Sequence, residues 1–452
     1  MPEQADVVVV GLGPGGEDLA GRLATEGLEV VAIDGGLVGG ECPYWGCIPS
    51  KMMVRAADLL AESPRAAALA GPSTARPDWS LVAGRVREAT SHWDDREAVA
   101  RLEGKGARFV RGWATVVGER SVAVEGRRFE ARRALVLATG AAPWEPPIPG
   151  LADVPHWTNR QAVAVDELPP SLTVLGGGAI GLELGQVFAR FGVEVAVVEV
   201  ADRLLAMEEP ESSSLVARAL GHDGVAVHTG CDVTAAELDH GRPALALADG
   251  RRVVADALLV ATGRRSDLAA LGVGVLGIDE HDRGIPVDGQ LRAGPGLWAI
   301  GDVTGIGAFT HLSMYQAAIA AADILGHPGP AADYRALPRV TFTDPEIGAV
   351  GLTESAAAER GVDVRTGITD LATSARGWIH GGGNDGFVKL VEDAERRVLV
   401  GATSAGPCGG EVLGFLALAV QAAVPTDALR HMIYAYPTFH RAIEAALDDL
   451  AE

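Results

Sequence analysis

The chain has 452 residues, 48% of them hydrophobic, and a formal net charge of −22. That length exceeds one compact core and predicts two to four domains. The acidic balance, with no run of Lys or Arg, argues against nucleic acid and anionic membrane as partners, and no apolar run reaches the length of a bilayer span.

Met1 leads straight into a strand-like stretch without a basic, apolar leader, so no signal peptide is read and a cytoplasmic protein is expected. Only four cysteines occur, Cys42, Cys47, Cys231 and Cys408. In that compartment a close pair points to redox chemistry or metal rather than a structural staple.

In chain order, Val7–Val10 reads as a strand, GLGPGG (Gly11, Gly13 and Gly16) as a glycine turn, the residues through Leu23 as a helix, and Glu29–Ile33 as the next strand. The pattern returns with the strand Leu172–Leu175, the turn GGGAIG (Gly176, Gly178 and Gly181), the helix Leu182–Phe191 and the strand Val193–Glu199. Gly11 to Asp34 and Gly176 to Glu199 have identical spacing. Glycines in such a turn let the backbone approach a pyrophosphate at a helix N-terminus, and the closing acid can bind ribose hydroxyls. One such turn is a weak signal; two, each between strand and helix and each with its acid, predict two dinucleotide sites. An acid at Glu199 repels a 2′-phosphate and favours NADH over NADPH; Arg203 nearby pulls the other way.

Other segments fill in the organisation. Ala-Thr-Gly follows the strand Ala134–Leu137 (Thr139, Gly140) and again the strand Ala257–Val260 (Gly263). The Pro-rich APWEPPIPG after the first reads as an interdomain linker. Asp58–Phe109 is Ala-rich, charged and helical in pattern. Beyond residue 335, alternating segments such as GFVKLVED predict antiparallel strands followed by helices. The apolar Val412–Val424 fits either an interface helix or an internal core helix.

Cys42 and Cys47 lie in GGECPYWGCIPSK. Zinc would need further ligands, and none is close in sequence, so no metal is expected. The pair follows a nucleotide-binding unit at a loop-to-helix transition, where a thiolate gains from the helix dipole. Cys47 is the nearer to the helix, and Lys51 falls on the same helix face. The alternatives are two buried thiols and a solvated lysine.

With GLGPGG, GGECPYWGCIPSK, LATGAAP, GGGAIGLELG, VATGRRSD, LWAIGDVTG, TFTDPEIGAVGLTE and YAYPTFH in this order, the chain resembles the flavoprotein disulfide reductases over nearly its whole length. The resemblance implies an α/β protein with two Rossmann-like dinucleotide-binding domains plus a C-terminal α+β dimerisation domain. FAD would bind residues 1–145 and 264–335, NAD(H), or NADP(H), residues 146–263, and residues 336–452 would form the interface of a homodimer. It places Gly301 and Asp302 on the flavin side, Cys47 against the flavin, Cys42 towards a small-molecule electron acceptor, and Lys51 paired with Glu183. Read from the residues alone, Asp302 is a turn residue and Glu183 an ordinary helix residue.

Departures from the family pattern are concentrated at the C-terminus. His-Pro-Thr followed by Glu, the usual acid–base dyad, is replaced by Tyr436-Pro437-Thr438 and Arg441. A phenol titrates near pH 10 and is a usable acid but a poor base; His440 or His431 are the candidate substitutes. Pro43, Tyr44 and Trp45 make the segment between the cysteines bulkier than usual. Leu450-Ala451-Glu452 carries no cysteine pair, which points away from mercuric reductase and the large thioredoxin reductases. The expected activity is electron transfer from NADH through FAD to Cys42–Cys47 and on to a disulfide or other small acceptor. The alternative is a quinone or metal-ion reductase in which flavin acts directly and the cysteines are bystanders.

Overall fold

The structure, a computed structural model, describes residues 1–450. The described chain divides into two compact units: residues 1–50, 84–144 and 263–333, and residues 51–83, 145–262 and 334–450.

The first unit is built on an eight-stranded sheet. Its main path runs Arg292–Gly294, Leu297–Ala299, Arg127–Leu137, Glu3–Val10, Val30–Asp34, Arg108–Arg111. Glu3–Val10 pairs in parallel with both neighbours, Val7 lying opposite Val30 on one side and Ala134 on the other. The apolar run Val7–Val10 follows from burial on both faces. Val7 and Val9 enter one core with Leu19 and Leu23 of the Pro14–Thr25 helix and Ala317 and Ala320 of the Thr310–Ile324 helix. Val8 and Val10 enter the other with Val122, Phe129 and Leu271. Each fully buried valine contributes about 1.5–3 kcal/mol.

The second unit contains a four-stranded parallel sheet in the order Ala226–His228, Glu194–Val198, Ser171–Leu175, Ala257–Val260, with the Ala179–Arg190 helix following the third of these. It also contains a five-stranded antiparallel sheet, Pro338–Thr341, Glu346–Gly351, Val398–Gly406, Phe387–Asp393, Val364–Asp370. Within this unit Lys389, 5% exposed, lies 2.8–3.0 Å from Glu209, Glu211 and Glu354. Arg190 similarly gathers Asp58, Asp223 and Asp344. A buried cation is tolerated only with such partners.

Asp58–Phe109 is not one helical stretch. A helix covers Cys47–Leu69, Gly71 and Pro72 end it, and Asp78 accepts from Ser80 N at the start of Trp79–Ala89. Arg96–Gly104 is helical, and Phe109 lies in the strand Arg108–Arg111. Val412–Val424 corresponds to the Gly409–Gln421 helix, whose Leu413, Leu416, Ala419 and Val420 pack into the core of their own unit. That face therefore does not need an interface to cover it, although Leu418 stays exposed. No helix among the described residues is long and apolar enough to cross a membrane.

Candidate functional site

The two glycine turns are built alike, residue for residue. Gly11 has φ +92° and Gly176 φ +115°, a region that disfavours side chains. A Cβ on Gly11 would stand 2.3 Å from the Ala138 carbonyl oxygen, and one on Gly176 2.4 Å from that of Ala261. The Ala-Thr-Gly echo thus has a structural reason, since each copy ends its strand against the first glycine of a turn. A Cβ on Gly16 would meet the Gly11 oxygen at 2.0 Å, and one on Gly181 the Gly176 oxygen at 2.3 Å. At Gly13 and Gly178 a Cβ would meet nothing within 4 Å. Both are helix N-caps with no side-chain cap, so their surroundings fit close approach of a pyrophosphate to an open helix N-terminus.

The closing acids repeat the same geometry. Asp34 accepts from Leu12 N at 2.6 Å and from Gly36 N at 2.7 Å; Glu199 accepts from Gly177 N at 2.5 Å and from Ala201 N at 2.7 Å. Burial pushes the Asp34 carboxyl up, against the lowering effect of those two amides. Each acid therefore braces its turn, and its carboxylate is fixed where the second strand ends. Arg203 is committed elsewhere. Its guanidinium donates to the Leu205 and Ala206 carbonyls and to Ser213 Oγ.

In the first unit, Cys42 sits half-buried in the short helix Glu41–Tyr44, and Cys47 is the exposed first residue of Cys47–Leu69. Cys47 Sγ is 3.5 Å from Thr310 Oγ1, at the start of the Thr310–Ile324 helix. A sulfur at one helix N-terminus and beside a hydroxyl at another is placed to carry negative charge. Asp302 is the second residue of the short 3₁₀ turn Gly301–Thr304, where Gly301 has φ +78° and its N–H donates to Gln316 at 2.6 Å. Burial raises the Asp302 carboxyl; Arg264, 3.9 Å away, opposes that. Arg264 also reaches Glu41 at 3.2 Å and donates to the Ala141 carbonyl. Thr139 is exposed, and the Gly140 carbonyl accepts from Ser266 Oγ at 2.8 Å. Gly263 has φ +113°.

In the second unit, Lys51 Nζ lies 2.6 Å from Glu183 Oε2 and 4.7 Å from the centre of the Phe342 ring. Glu183 is 4% exposed and its other oxygen accepts from Phe342 N at 2.9 Å. At the C-terminus Tyr436 is 70% exposed, the Arg441 guanidinium lies 5.5 Å from its ring centre, and Arg441 pairs with Glu444 at 2.8 Å. His440 has a ring contact of its own. Its ring leans on Tyr434, centroids 6.0 Å apart. Tyr434 is itself buried, donates to the Leu429 carbonyl, and burial pushes its phenol up to about 12. His431 is exposed just beyond the Thr426–Arg430 helix. Sequence reasoning missed Thr310 and gave no role to Arg264 and Glu41, although they lie in the quoted motifs VATGRRSD and GGECPYWGCIPSK, because their contacts come from tertiary proximity.

Residues 5–322 match the family model for pyridine nucleotide-disulphide oxidoreductases, and residues 337–447 match the dimerisation domain of the same family. The chain belongs to the pyridine nucleotide-disulphide oxidoreductases. It is 33% identical to dihydrolipoyl dehydrogenase of Chlorobaculum tepidum, covering 100% of this chain and 98% of that one. It is 30% identical to mercuric reductase of Bacillus cereus, covering 98% of this chain and 71% of the relative. Among solved structures it resembles the copper(II) complex of the HOCl-induced flavoprotein disulfide reductase RclA from Escherichia coli, with TM-score 0.86, 26% identity and 99% coverage of both chains. The protein is accordingly an FAD- and NAD(P)H-dependent oxidoreductase of two dinucleotide-binding folds and a dimerisation domain, acting on a sulfur group or a related acceptor.

Proposed function

We propose that the protein takes electrons from NADH and passes them to a Cys42–Cys47 disulfide, whose dithiol reduces a small acceptor that expels no basic thiolate, such as a soft metal ion, a quinone or an activated disulfide. The observation that carries this reading is the placement of Cys47, first in its helix with Sγ 3.5 Å from Thr310 Oγ1. Bound FAD would supply two-electron transfer between nicotinamide and sulfur. The chain's own part is to hold Cys47 Sγ as a stabilised thiolate and to leave Cys42 as the interchange thiol. The Lys51–Glu183 pair, anchored by its buried carboxylate, supplies a fixed positive charge next to an apolar ring, suited to orienting the redox partners. The domain division at residues 1–145 with 264–335, 146–263 and 336–452 belongs to the same reading.

The choice of acceptor rests on Tyr436 and Arg441. Two similar proteins, the mercuric reductase and the copper(II)-complexed RclA, carry names that tie them to soft or redox-active metal ions. A metal ion needs electrons but no proton for a leaving thiolate, which fits a chain whose acid–base histidine is a tyrosine. A homodimer in the cytoplasm is also proposed. In the segment matching the dimerisation domain, Trp378, Ile379, Ile433 and Tyr436 are exposed, and contacts of Phe439 with Arg376 and His380 bring the Ala375–His380 helix alongside the tail. Sedimentation of a fully active monomer would refute it.

Two outcomes test the cofactor assignment. NADH should give a kcat/KM at least tenfold above NADPH, about 1.4 kcal/mol, because Glu199 opposes a 2′-phosphate; equal turnover would remove the argument. Gly181→Ala should raise the KM for NADH at least about tenfold and leave flavin content intact, whereas Gly16→Ala should yield protein with little or no flavin. The ratio of flavin to protein absorbance reads both, and the reverse pattern would exchange the two sites.

A further inference from the structure

Three successive residues without a glycine, Ser91, His92 and Trp93, have φ of +51°, +55° and +57°. Side-chain-bearing residues visit this region singly and at a cost, so a run of three is maintained only where the surroundings hold it. Here both ends are anchored within the first unit. Thr90 is fully buried and its hydroxyl donates to the Val86 carbonyl at 2.9 Å. Asp95, 7% exposed, accepts from Val38 N at 2.8 Å and from Arg111 at 2.5 Å. What the strained turn presents is the Trp93 indole. Its ring stacks on Trp45, centroids 5.5 Å apart and planes 20° from parallel, and its N–H donates to the Tyr44 carbonyl at 3.2 Å. Tyr44 and Trp45 are residues of the four-residue segment between Cys42 and Cys47.

We infer that Trp93 is a positioning residue for the redox pair: the strained Ser91–Trp93 turn clamps the Tyr44–Trp45 segment and so fixes how the two sulfurs face each other. The inference rests on the redox reading of Cys42 and Cys47. Stacking between two large rings with a small interplanar angle restrains rotation, and the indole bond restrains the backbone between the cysteines. A clamped segment raises the effective concentration of one thiol at the other, which favours the closed disulfide. Releasing the clamp favours the open dithiol.

The test is the equilibrium of the FAD-loaded enzyme with buffers of reduced and oxidised dithiothreitol. In that exchange the protein S–S bond breaks, both sulfurs gain hydrogen and the dithiothreitol dithiol closes to its ring disulfide. The fraction of protein disulfide is read by alkylation and mass. Trp93→Ala should shift the constant towards the protein dithiol by about tenfold, roughly 30 mV for a two-electron couple. Trp93→Phe, which keeps a ring but loses the N–H, should shift it by a smaller factor, about threefold. A folded, flavin-loaded Trp93→Ala with the wild-type constant would overturn the inference. Should that variant fail to fold, a wild-type constant in Trp93→Phe would overturn it equally. A wild-type pair that forms no disulfide in any buffer would instead sink the redox reading, so the two failures are distinguishable.

Discussion

Cys42→Ser is expected to abolish reduction of any acceptor that is reached through the dithiol, by on the order of 10³-fold or more, while reduction of the bound flavin by NADH continues. Cys42 is half-buried in its own short helix, whereas Cys47 begins the Cys47–Leu69 helix beside Thr310. Once the interchange thiol is lost, no disulfide can close between these positions, and serine cannot replace a thiol in exchange chemistry. Cys47 should then persist as a thiolate, visible as long-wavelength charge-transfer absorbance of the oxidised holoenzyme. Anaerobic titration of the wild type with NADH should show the same band after two electrons. A Cys42→Ser enzyme that reduces every acceptor normally would mean that the cysteines are bystanders and that electrons leave from the flavin directly.

Much of this site is legible in the sequence, for a physical reason. The glycine positions are dictated by carbonyl contacts that allow no Cβ, as at Gly11, Gly16, Gly176 and Gly181, so the constraint is written into adjacent residues. The acids Asp34 and Glu199 are readable because each sits at the end of the strand next to its turn, at one fixed distance along the chain. The fold class follows from the same two βαβ units. Helix phasing is less accurate. The second helix begins at Ala179 rather than Leu182, because the glycine turn itself supplies its first residues. Asp58–Phe109 looks uniformly helical because composition does not report breaks, yet Gly71, Pro72 and the left-handed turn at Ser91–Trp93 divide it. Trp93 is invisible to sequence reasoning, since a tryptophan so far along the chain from Trp45 carries no local pattern. Arg203 reads as a threat to NADH selectivity in the sequence, whereas its guanidinium is held by acceptors close by in the chain.

Restoring the family's acid–base residues by Tyr436→His together with Arg441→Glu should raise turnover with lipoamide or glutathione disulfide by about 10²–10⁴-fold over a poor wild-type rate. Reducing an ordinary disulfide requires a base to activate the interchange thiol and an acid for the departing thiolate. The wild-type tail offers neither in the usual form. Arg441 stands over the Tyr436 ring at 5.5 Å and pairs with Glu444 at 2.8 Å, so a phenol and a cation are in mutual contact here. The ring of His440, the other candidate base, rests on Tyr434. Each single change should fall short of the double. With Tyr436→His alone, Arg441 would disfavour the imidazolium form of the new side chain. With Arg441→Glu alone, the new carboxylate would lie beside a phenol and have no imidazole to orient. That carboxylate would also face Glu444 one turn on, a like-charge pair costing roughly 0.2–0.5 kcal/mol, too little to mask the gain. Turnover of a soft metal ion should change little in the double variant, because that acceptor takes up electrons and no proton. Two results would count against the proposal: efficient lipoamide or glutathione disulfide reduction by the wild type, at a rate insensitive to Tyr436→Phe and to His440→Ala, or a double variant that gains nothing on disulfides while retaining its flavin and its rate with metal ions.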